Sequence, residues 1–363
     1  MNDRAVSAGR SSSARPGDSR SCEQKAPFHL PAVVSGAGRP TDYAGMTAIG
    51  YTLSSEEHSP TDLVEHARRA EAAGFDFLSI SDHYHPWNRE QGHAPFVWST
   101  LGGVATATDD VDVGVGVSAP IQRFHPAIYA QATATVAAMF EGRAFYAGVG
   151  TGENLNEHVL GDRWPAHAVR IEMLEEAVEV VRKLWGGEEV SHYGKHYTVE
   201  NARLYTLPET PPPVCVSAYG ERAARVAADI GDGFWSVGPQ ETVDVWEAHG
   251  GSGPRFCQLQ ACVAETEAEA VATAYEKWPN SALPGELSTE LATPALFEQA
   301  TEMVSEADIA EGSIVTDPDP QAHIDSIQTA IDAGYDHVYA MQIGDDQGAM
   351  LELYEEEVLP SFS

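Results

Sequence analysis

An acid, two histidines and a tryptophan stand close together behind one apolar segment of this sequence. Residues 75–80 have the composition of a buried strand, and they are followed by Asp82, His83, His85 and Trp87. In α/β proteins, side chains at the carboxyl ends of strands build the active sites. Imidazole and carboxyl groups can exchange protons with a ligand, and an indole offers it a flat apolar surface. The pattern therefore predicts an active site at this strand end.

A second polar cluster follows the fourth predicted strand, where Glu153 and Asn156 come after three glycines, Gly148, Gly150 and Gly152. In a barrel, loops after the second and fourth strands lie close together over one mouth, so His83 and Glu153 could form a proton-transfer pair. The alternative is a structural role, in which Asp82 caps a loop and the histidines are solvated. The glycine spacing also resembles part of a dinucleotide fingerprint, but no helix of the expected type follows, and close approach of the backbone to a flat ring fits it better.

Two other kinds of site can be weighed from residue types. His83 and His85 have the H-x-H spacing of barrel metallohydrolases, which place the pair on the first strand and add histidines at later strand ends. Here the pair follows the second strand, and residues 217–219 and 236–238 contain no histidine, so no metal site is expected. Gly220 opens a predicted helix with Arg222 in its first turn, which would favour a bound phosphate, although an ordinary turn explains the glycine almost as well.

Short β-rich apolar runs alternate with longer helical patterns along the chain. The predicted strands are 48–53, 75–81, 111–118, 144–149, 213–218, 233–237, 256–264 and 336–343. The predicted helices are 60–73, 94–107, 126–140, 167–185, 220–230, 241–248, 266–277, 319–333 and 346–357. Eight strands that alternate with helices predict an α/β fold, a (β/α)8 TIM barrel. A doubly wound open sheet is the competing fold, but the Gly-rich phosphate turn that it would place after the first strand is missing here.

Two segments interrupt the alternation and predict insertions after strands 4 and 7. Residues 186–212 contain two adjacent glycines, an alternating piece that indicates a hairpin, and a run of prolines. Residues 278–318 contain scattered prolines and then a helical stretch. Long connections in a compact barrel are usually lids or binding loops.

The formal charge of -34 and a pI near 4.5 describe a strongly acidic protein. Such a composition is typical of halophilic proteins, and it would repel nucleic acid and anionic membranes, so neither partner is expected. Residues 1–45 differ, because they carry more basic than acidic residues. Since strand-like sequence follows Met46 at once, we expect a disordered leader over residues 1–45, from a start codon assigned too early, and one barrel domain over residues 46–363. A transit-like leader is the alternative.

The cysteines and the lengths of the apolar segments indicate the cellular compartment of the protein. Cys22, Cys215, Cys257 and Cys262 lack the paired spacing of metal sites, which indicates free thiols in a reducing cytoplasm. No apolar run approaches the eighteen or so residues that a membrane-spanning helix needs. We expect a cytoplasmic homodimer that acts on a small molecule.

Taken together and in order, these motifs resemble those of the luciferase-like barrel superfamily, in particular its branch that uses the deazaflavin coenzyme F420 and is typified by F420-dependent glucose-6-phosphate dehydrogenase. The resemblance runs from residue 46 to the C-terminus and is carried by residues 81–87, 92–96, 116–120, 123–127, 148–157 and 231–234. It implies an F420-dependent dehydrogenase or reductase. An FMN-dependent monooxygenase of the same superfamily is the alternative, against which the set His83, Trp87 and Glu153 speaks.

The resemblance also implies roles for individual residues. His83 would exchange a proton with a substrate hydroxyl, Glu153 would be its partner acid or base, and Trp87 would shape the pocket. A cis peptide bond against the cofactor ring is implied at Gly116-Val117. The other implied cofactor contacts are Asp82, Asn156, Ala119, Thr151 and Gly152 for the deazaflavin head, and Tyr219, Gly220, Arg222 and Ala223 for the phosphate-bearing tail.

One departure from the family bears on the substrate. The sugar-phosphate dehydrogenases of this branch grip the phosphate with two lysines and an arginine, whose positions align with about Gln240, Ser288 and Gly312, and a pocket histidine becomes Thr289. No lysine or arginine follows Lys277. Without cations, desolvating a dianionic phosphate is costly. We therefore expect hydride transfer between F420 and a small uncharged alcohol or carbonyl compound, with glucose 6-phosphate dehydrogenation as the alternative.

Overall fold

The computed structural model describes residues 47–362, and the predicted leader over residues 1–45 lies outside this range. Eight of its strands belong to one sheet: β1 (Ala48–Leu53), β2 (Phe77–Ile80), β3 (Asp112–Ser118), β4 (Phe145–Val149), β7 (Val214–Ser217), β8 (Gly233–Val237), β9 (Arg255–Ala261) and β10 (His337–Gln342). They are parallel and close in the order β1-β10-β9-β8-β7-β4-β3-β2. The predicted (β/α)8 TIM barrel is confirmed, and the closed sheet excludes the doubly wound alternative.

Helices follow the strands around the barrel. They are α1 (Pro60–Ala73), α2 (Val97–Ala107), α3 (Pro126–Met139), α4 (Asn154–Glu157), α5 (His167–Trp185), α6 (Glu221–Ile230), α7 (Thr242–Ala248), α8 (Glu267–Lys277), α9 (Leu287–Glu290), α10 (Pro294–Thr301), α11 (Glu306–Ala310), α12 (Pro320–Asp332) and α13 (Gln347–Leu353). Local sequence explains many of their ends. Helix α1, for example, begins with the Ser59 side chain accepting a hydrogen bond from the Asp62 N–H and ends at Gly74 in the left-handed conformation.

Most element bounds lie within one or two residues of the predicted ones, and the exceptions have local causes. Strand β9 ends at Ala261 because the next residues bond elsewhere: the Cys262 N–H donates to the Val315 carbonyl (2.9 Å). Helix α2 begins at Val97 and not at the predicted residue 94, where Pro95 disfavours the helical conformation of Ala94. Helix α13 continues directly into a short π-helix over Tyr354–Val358.

Aromatic side chains fill the interior of the barrel. The ring of Trp235 stacks on Phe256 at a centroid distance of 4.1 Å and an interplanar angle of 9°. Its indole N–H donates to the hydroxyl of Tyr339 (2.5 Å), and all three residues are buried. A filled interior leaves the mouth, at the carboxyl ends of the strands, as the place for a ligand.

The predicted hairpin in the first insertion is confirmed. Strands β5 (Val190–Tyr193) and β6 (Thr198–Ala202) pair in antiparallel fashion outside the barrel. They lie between α5 and β7, and Glu176 of α5 accepts hydrogen bonds from the N–H groups of His196 and Tyr197 (both 2.9 Å). These hydrogen bonds hold the hairpin against α5.

The second insertion, predicted over residues 278–318, follows α8 and contains α9 to α11. It contacts loops that follow three different barrel strands, through the pairs Trp278–Glu57 (2.8 Å), Phe297–Trp87 (ring centroids 5.1 Å apart) and Asn154–Glu290 (3.0 Å). These contacts place the insertion across the barrel mouth, in agreement with the expected lid.

The tight interior generates a prediction about Gly148 of β4. A methyl group at this position would lie 2.0 Å from the Val115 carbonyl oxygen, which belongs to the neighbouring strand. Because backbone must shift to relieve this clash, we expect Gly148→Ala to lower the free energy of unfolding by about 3 kcal/mol or more, at the upper end of overpacking effects. Urea denaturation measures it.

Gly102 provides the matched control. It lies inside helix α2, where a methyl group would meet only the Met139 side chain at ordinary contact distance, 3.7 Å. Gly102→Ala should be neutral or stabilise by up to about 1 kcal/mol, because alanine favours the helix. Equal losses in the two variants would contradict the tight β3-β4 contact.

Candidate active site

The loop after β1 is the part of the mouth that the sequence analysis missed. Residues 54–58 are all buried although every one of them is polar. Within this loop Glu56 reaches the predicted site: its Oε1 lies 3.3 Å from Nε2 of His83, and its Oε2 accepts a hydrogen bond from Ser81 (2.6 Å). Two adjacent acids directly behind a buried strand were the available signal.

His83 is held at both ring nitrogens. Its Nδ1 lies 3.0 Å from the carbonyl oxygen of His85 and 3.2 Å from the side-chain nitrogen of Asn156, while Nε2 faces Glu56. The Trp87 ring tilts against the imidazole, with centroids 4.9 Å apart. When Nδ1 donates to the His85 carbonyl, Nε2 beside Glu56 is the nitrogen that can take up or give up a proton.

Asn156 joins the loops that follow β2 and β4. Its Oδ1 accepts hydrogen bonds from the N–H groups of Tyr84 (2.9 Å) and His85 (3.2 Å). Its Nδ2 donates to Oε2 of Glu153 (3.0 Å) and contacts Nδ1 of His83. Three of the four hydrogen-bonding positions of the amide are therefore used within the protein, and its second N–H lies against the His83 ring. The structure brings His83 and Glu153 to one site, as predicted, with Asn156 between them; the predicted contact of Asn156 with a cofactor stays a prediction.

Asp82 belongs to a buried charged group behind the histidine. Its Oδ2 accepts hydrogen bonds from Ser118 (2.5 Å) and from Nη2 of Arg123 (3.0 Å). Arg123 also contacts Glu157, whose Oε2 accepts the Arg123 N–H (2.8 Å). Burial raises the pKa of Glu157 to about 7, and Arg123 opposes that shift. The other oxygen of Asp82, Oδ1, is buried and has no hydrogen-bond partner.

The ends of β3 and β4 approach each other closely beside this group. The peptide bond Gly116-Val117 is cis, as the resemblance implied. Gly152 has φ +71°, and a methyl group there would lie 2.9 Å from the Cβ of Ala119. Thr151 is half-buried next to Gly152. Only glycine fits this left-handed position, so bare backbone borders the mouth between the two strands.

The predicted phosphate-binding residues lie behind β7, next to β4 in the barrel. Gly220 precedes α6 and offers no side-chain cap, so the first N–H groups of the helix remain available. Tyr219 is 58% exposed. Arg222 is exposed and Ala223 half-buried in the first turn of α6. The arrangement can receive an anion at the helix start.

Other candidate sites can be judged from the same geometry. Among residues 47–362 no group of three or more His, Cys, Asp or Glu side chains is arranged to hold a metal ion, and Nδ1 of His85 is engaged by the carbonyl oxygen of Leu155 (3.0 Å). In the same range, no helix is long and apolar enough to cross a membrane. The three described cysteines, Cys215, Cys257 and Cys262, are buried free thiols.

The buried charges generate a prediction about Arg123. Arg123→Met would leave Asp82 and Glu157 as unpaired buried carboxylates, so we expect a loss of about 3–5 kcal/mol in unfolding free energy at neutral pH. The loss should shrink as pH falls towards about 4, because unpaired buried carboxyls have raised pKa values and protonation relieves them. Urea denaturation across pH measures it.

Arg68 supplies the control for Arg123, since it pairs with Glu65 on the exposed face of α1 (side chains 57% and 53% exposed). Arg68→Met should cost less than about 1 kcal/mol. A pH-independent loss in Arg123→Met would show that the residue contributes packing rather than charge.

Comparison with known proteins places the chain in a family. The luciferase-like monooxygenase family matches residues 42–337. The F420-dependent glucose-6-phosphate dehydrogenase of Nakamurella multipartita is 35% identical over 325 residues, covering 86% of this chain and 95% of that protein. The protein of the same name from Kribbella flavida is 36% identical over 332 residues, covering 86% and 97%.

Solved structures agree. An F420-dependent secondary alcohol dehydrogenase, determined with an F420-acetone adduct, aligns with a TM-score of 0.81 at 28% identity and covers 88% of this chain and 99% of its own. The F420-dependent tetrahydromethanopterin reductase of Methanopyrus kandleri shares the fold, with a TM-score of 0.71 at 20% identity over 88% of this chain and all of its own. On this evidence, the chain belongs to the luciferase-like family and groups there with F420-dependent oxidoreductases.

Proposed function

We propose that this protein is a coenzyme F420-dependent dehydrogenase or reductase that transfers a hydride between the deazaflavin and a small uncharged alcohol or carbonyl compound. The observation that carries the proposal is the placement of His83 at the mouth, between Glu56 and Asn156 and against Trp87. The relatives that are named for F420 support the cofactor.

The residues present fit a flat, polar-edged ring. The unpartnered Oδ1 of Asp82 can accept a hydrogen bond from a ring N–H, and the bare backbone at Gly152 admits a ring where a side chain would block it. The start of α6, with Arg222, can hold a phosphate-bearing tail. When bound, the deazaflavin supplies a carbon that accepts or gives a hydride.

The protein's own contribution is proton handling and placement. The Nε2 edge of His83 faces Glu56, which stabilises the imidazolium that forms when the histidine takes a hydroxyl proton. Glu153, tied to the same histidine through Asn156, is the second acid or base. Trp87 packs between His83 and Phe297 of the insertion and would give the substrate an apolar surface beside the histidine.

Arg222 is assigned to the cofactor tail, and four other cations around the mouth favour an uncharged substrate because they already have partners. Arg123 lies between two carboxylates, Arg89 pairs with Glu298, and Lys277 donates to a backbone carbonyl. Arg170 pairs with Glu290 of the insertion (3.1 Å). A sugar phosphate would have to break one of these pairs or remain without a counter-charge.

We also propose a salt-rich, reducing cytoplasm and a homodimer as the setting. The charge of -34 supports the first part, since a dense acidic surface stays hydrated in concentrated salt. Buried free thiols are compatible with a reducing compartment. Helix α3 exposes Ile128 (56%) and Met139 (41%) on the same side, three turns apart, which supports burial of this face against a second copy.

Cofactor preference is the first functional prediction. F420 should bind with a dissociation constant in the micromolar range or tighter, and FMN at least about tenfold (1.4 kcal/mol) more weakly. The reason is the joint placement of Asp82, Gly152 and the α6 start. Fluorescence titration with the two cofactors measures it, and equal or tighter binding of FMN would favour the monooxygenase alternative.

The role of His83 is the second functional prediction. His83→Ala should lower turnover about 10²–10⁴-fold, the usual effect of losing a general acid or base, while F420 affinity changes little. Turnover is followed by the absorbance of oxidised F420 with a panel of alcohols and aldehydes. Glu153→Gln, which keeps the shape, should also lose turnover without a change in melting temperature.

His249 gives the control for loss of an imidazole, because it pairs with Asp229 on an exposed surface (side chains 42% and 63% exposed). His249→Ala should turn over like the parent. If His83→Ala also stays within about threefold of the parent, below roughly 0.7 kcal/mol, the proton-transfer role is wrong.

A further inference from the structure

Glu57, the neighbour of Glu56, is a buried acid that the proposed chemistry does not use. We propose that Glu57 is a positioning residue that acts on His83 through Glu56, so that its charge sets how firmly the imidazole holds a proton. This inference rests on the proposed function. It concerns a residue that contacts neither the predicted cofactor site nor the histidine directly.

A shared hydroxyl connects the two acids. Oε2 of Glu56 and Oε2 of Glu57 each lie 3.4 Å from Oγ of Ser54. A hydroxyl has one hydrogen, so Ser54 can donate to only one carboxylate at a time. When Glu57 is charged it competes for this hydrogen; when it is neutral, the hydrogen is free for Glu56.

Both effects of the Glu57 charge on His83 have the same sign. A Glu56 that loses the Ser54 hydrogen bond is a stronger base, and it lies 3.3 Å from Nε2 of the histidine. The negative charge of Glu57 also favours the imidazolium directly, in a site where burial weakens screening. A charged Glu57 therefore makes His83 hold its proton more firmly.

Glu57 is fixed from two other parts of the mouth. Its Oε2 accepts a hydrogen bond from the indole nitrogen of Trp278, at the end of α8 (2.8 Å), and its Oε1 accepts one from the N–H of Gly344, behind β10 (3.0 Å). Both donors favour the carboxylate. The carboxyl group cannot turn away, so a change in its charge is transmitted to the Ser54 hydroxyl.

The charge of Glu57 changes in the neutral range. Burial raises its pKa to about 7, with a further increase from Glu56; the hydrogen bonds of Trp278 and Gly344 and the charge of Lys277 oppose the shift. The titratable groups that face Glu57 are Glu56, Lys277, Tyr51 and Cys262. Of these, Tyr51 and Cys262 stay neutral near pH 7 because burial raises their pKa values.

The experiment follows the His83 ring in the full chain by NMR, with ¹⁵N-labelled histidine and the signal assigned by its loss in His83→Ala. In Glu57→Gln, which is neutral at every pH, the titration midpoint of His83 should fall by about 0.5 pH unit or more. The acid limb of kcat/KM should move in the same direction, whereas the F420 dissociation constant should stay within about twofold.

Glu71→Gln separates this effect from a purely structural one. Glu71 also accepts hydrogen bonds from several N–H groups, those of Asp109, Asp110 and Val111, but it does so before β3, at the opposite end of the barrel. This variant should lose stability without moving the His83 titration. An unmoved His83 midpoint in Glu57→Gln, with stability lost as in Glu71→Gln, would overturn the proposal.

Trp278→Phe keeps the test usable if Glu57→Gln does not fold. It removes one donor that favours the Glu57 carboxylate, so Glu57 stays neutral to higher pH and the His83 midpoint should fall, by less than in Glu57→Gln. A rise of the midpoint would contradict the proposal. Because the NMR titration needs neither F420 nor substrate, a protein that fails to bind F420 would refute the proposed function and leave this result readable.

Discussion

The side chain of Asn156 is the interaction on which the geometry of the mouth depends. One amide holds the backbone after β2 through Tyr84 and His85, and it holds the side chains of His83 and Glu153. These groups come from two loops about seventy residues apart in the chain. Because the amide is buried and makes three hydrogen bonds to the two loops, neither loop can shift without leaving a polar group unsatisfied. The proposed acid-base pair, His83 and Glu153, would be preorganised for this reason.

Buried charged side chains lie on two sides of the Asn156 amide. Arg123 lies between Asp82 and Glu157, which leaves the group with an excess of negative charge and one free carboxylate oxygen. On the other side, Glu56 faces the histidine. Buried charges destabilise a fold unless they are paired with opposite charges. Ionisable groups that remain buried in a cleft often take part in binding or catalysis. The unpaired oxygen and the histidine edge are the two places where a ligand can complete the pairing.

The insertion between β9 and α12 contacts both the proposed proton-transfer groups and a cation that bears on the proposed substrate class. It packs Phe297 on Trp87, binds the Glu57 carboxyl through Trp278 and pairs Glu290 with Arg170. The same segment that covers the mouth therefore uses a nearby cation for its own attachment. The chain has no lysine or arginine after Lys277, so the insertion shares the acidic composition of the rest of the protein. The proposed salt adaptation of the surface and the proposed uncharged substrate would thus both follow from this acidic composition.

Sequence determined most of the architecture. Periodicity, capping residues such as Ser59 and Gly74, and proline positions act locally, so the eight strands, their helices and the hairpin were predictable within a few residues. It also predicted that His83, Trp87 and Glu153 lie at the barrel mouth, because such side chains directly follow buried strands; their catalytic roles stay predictions. Only the tertiary structure decided which polar side chains contact one another at the mouth. The Glu56 contact with His83, the Arg123 contacts, and the Trp278 bond to Glu57, 221 residues away, join segments that are distant in the chain. Hydrogen bonds depend on distances and angles that only the closed barrel sets, and no local pattern encodes them.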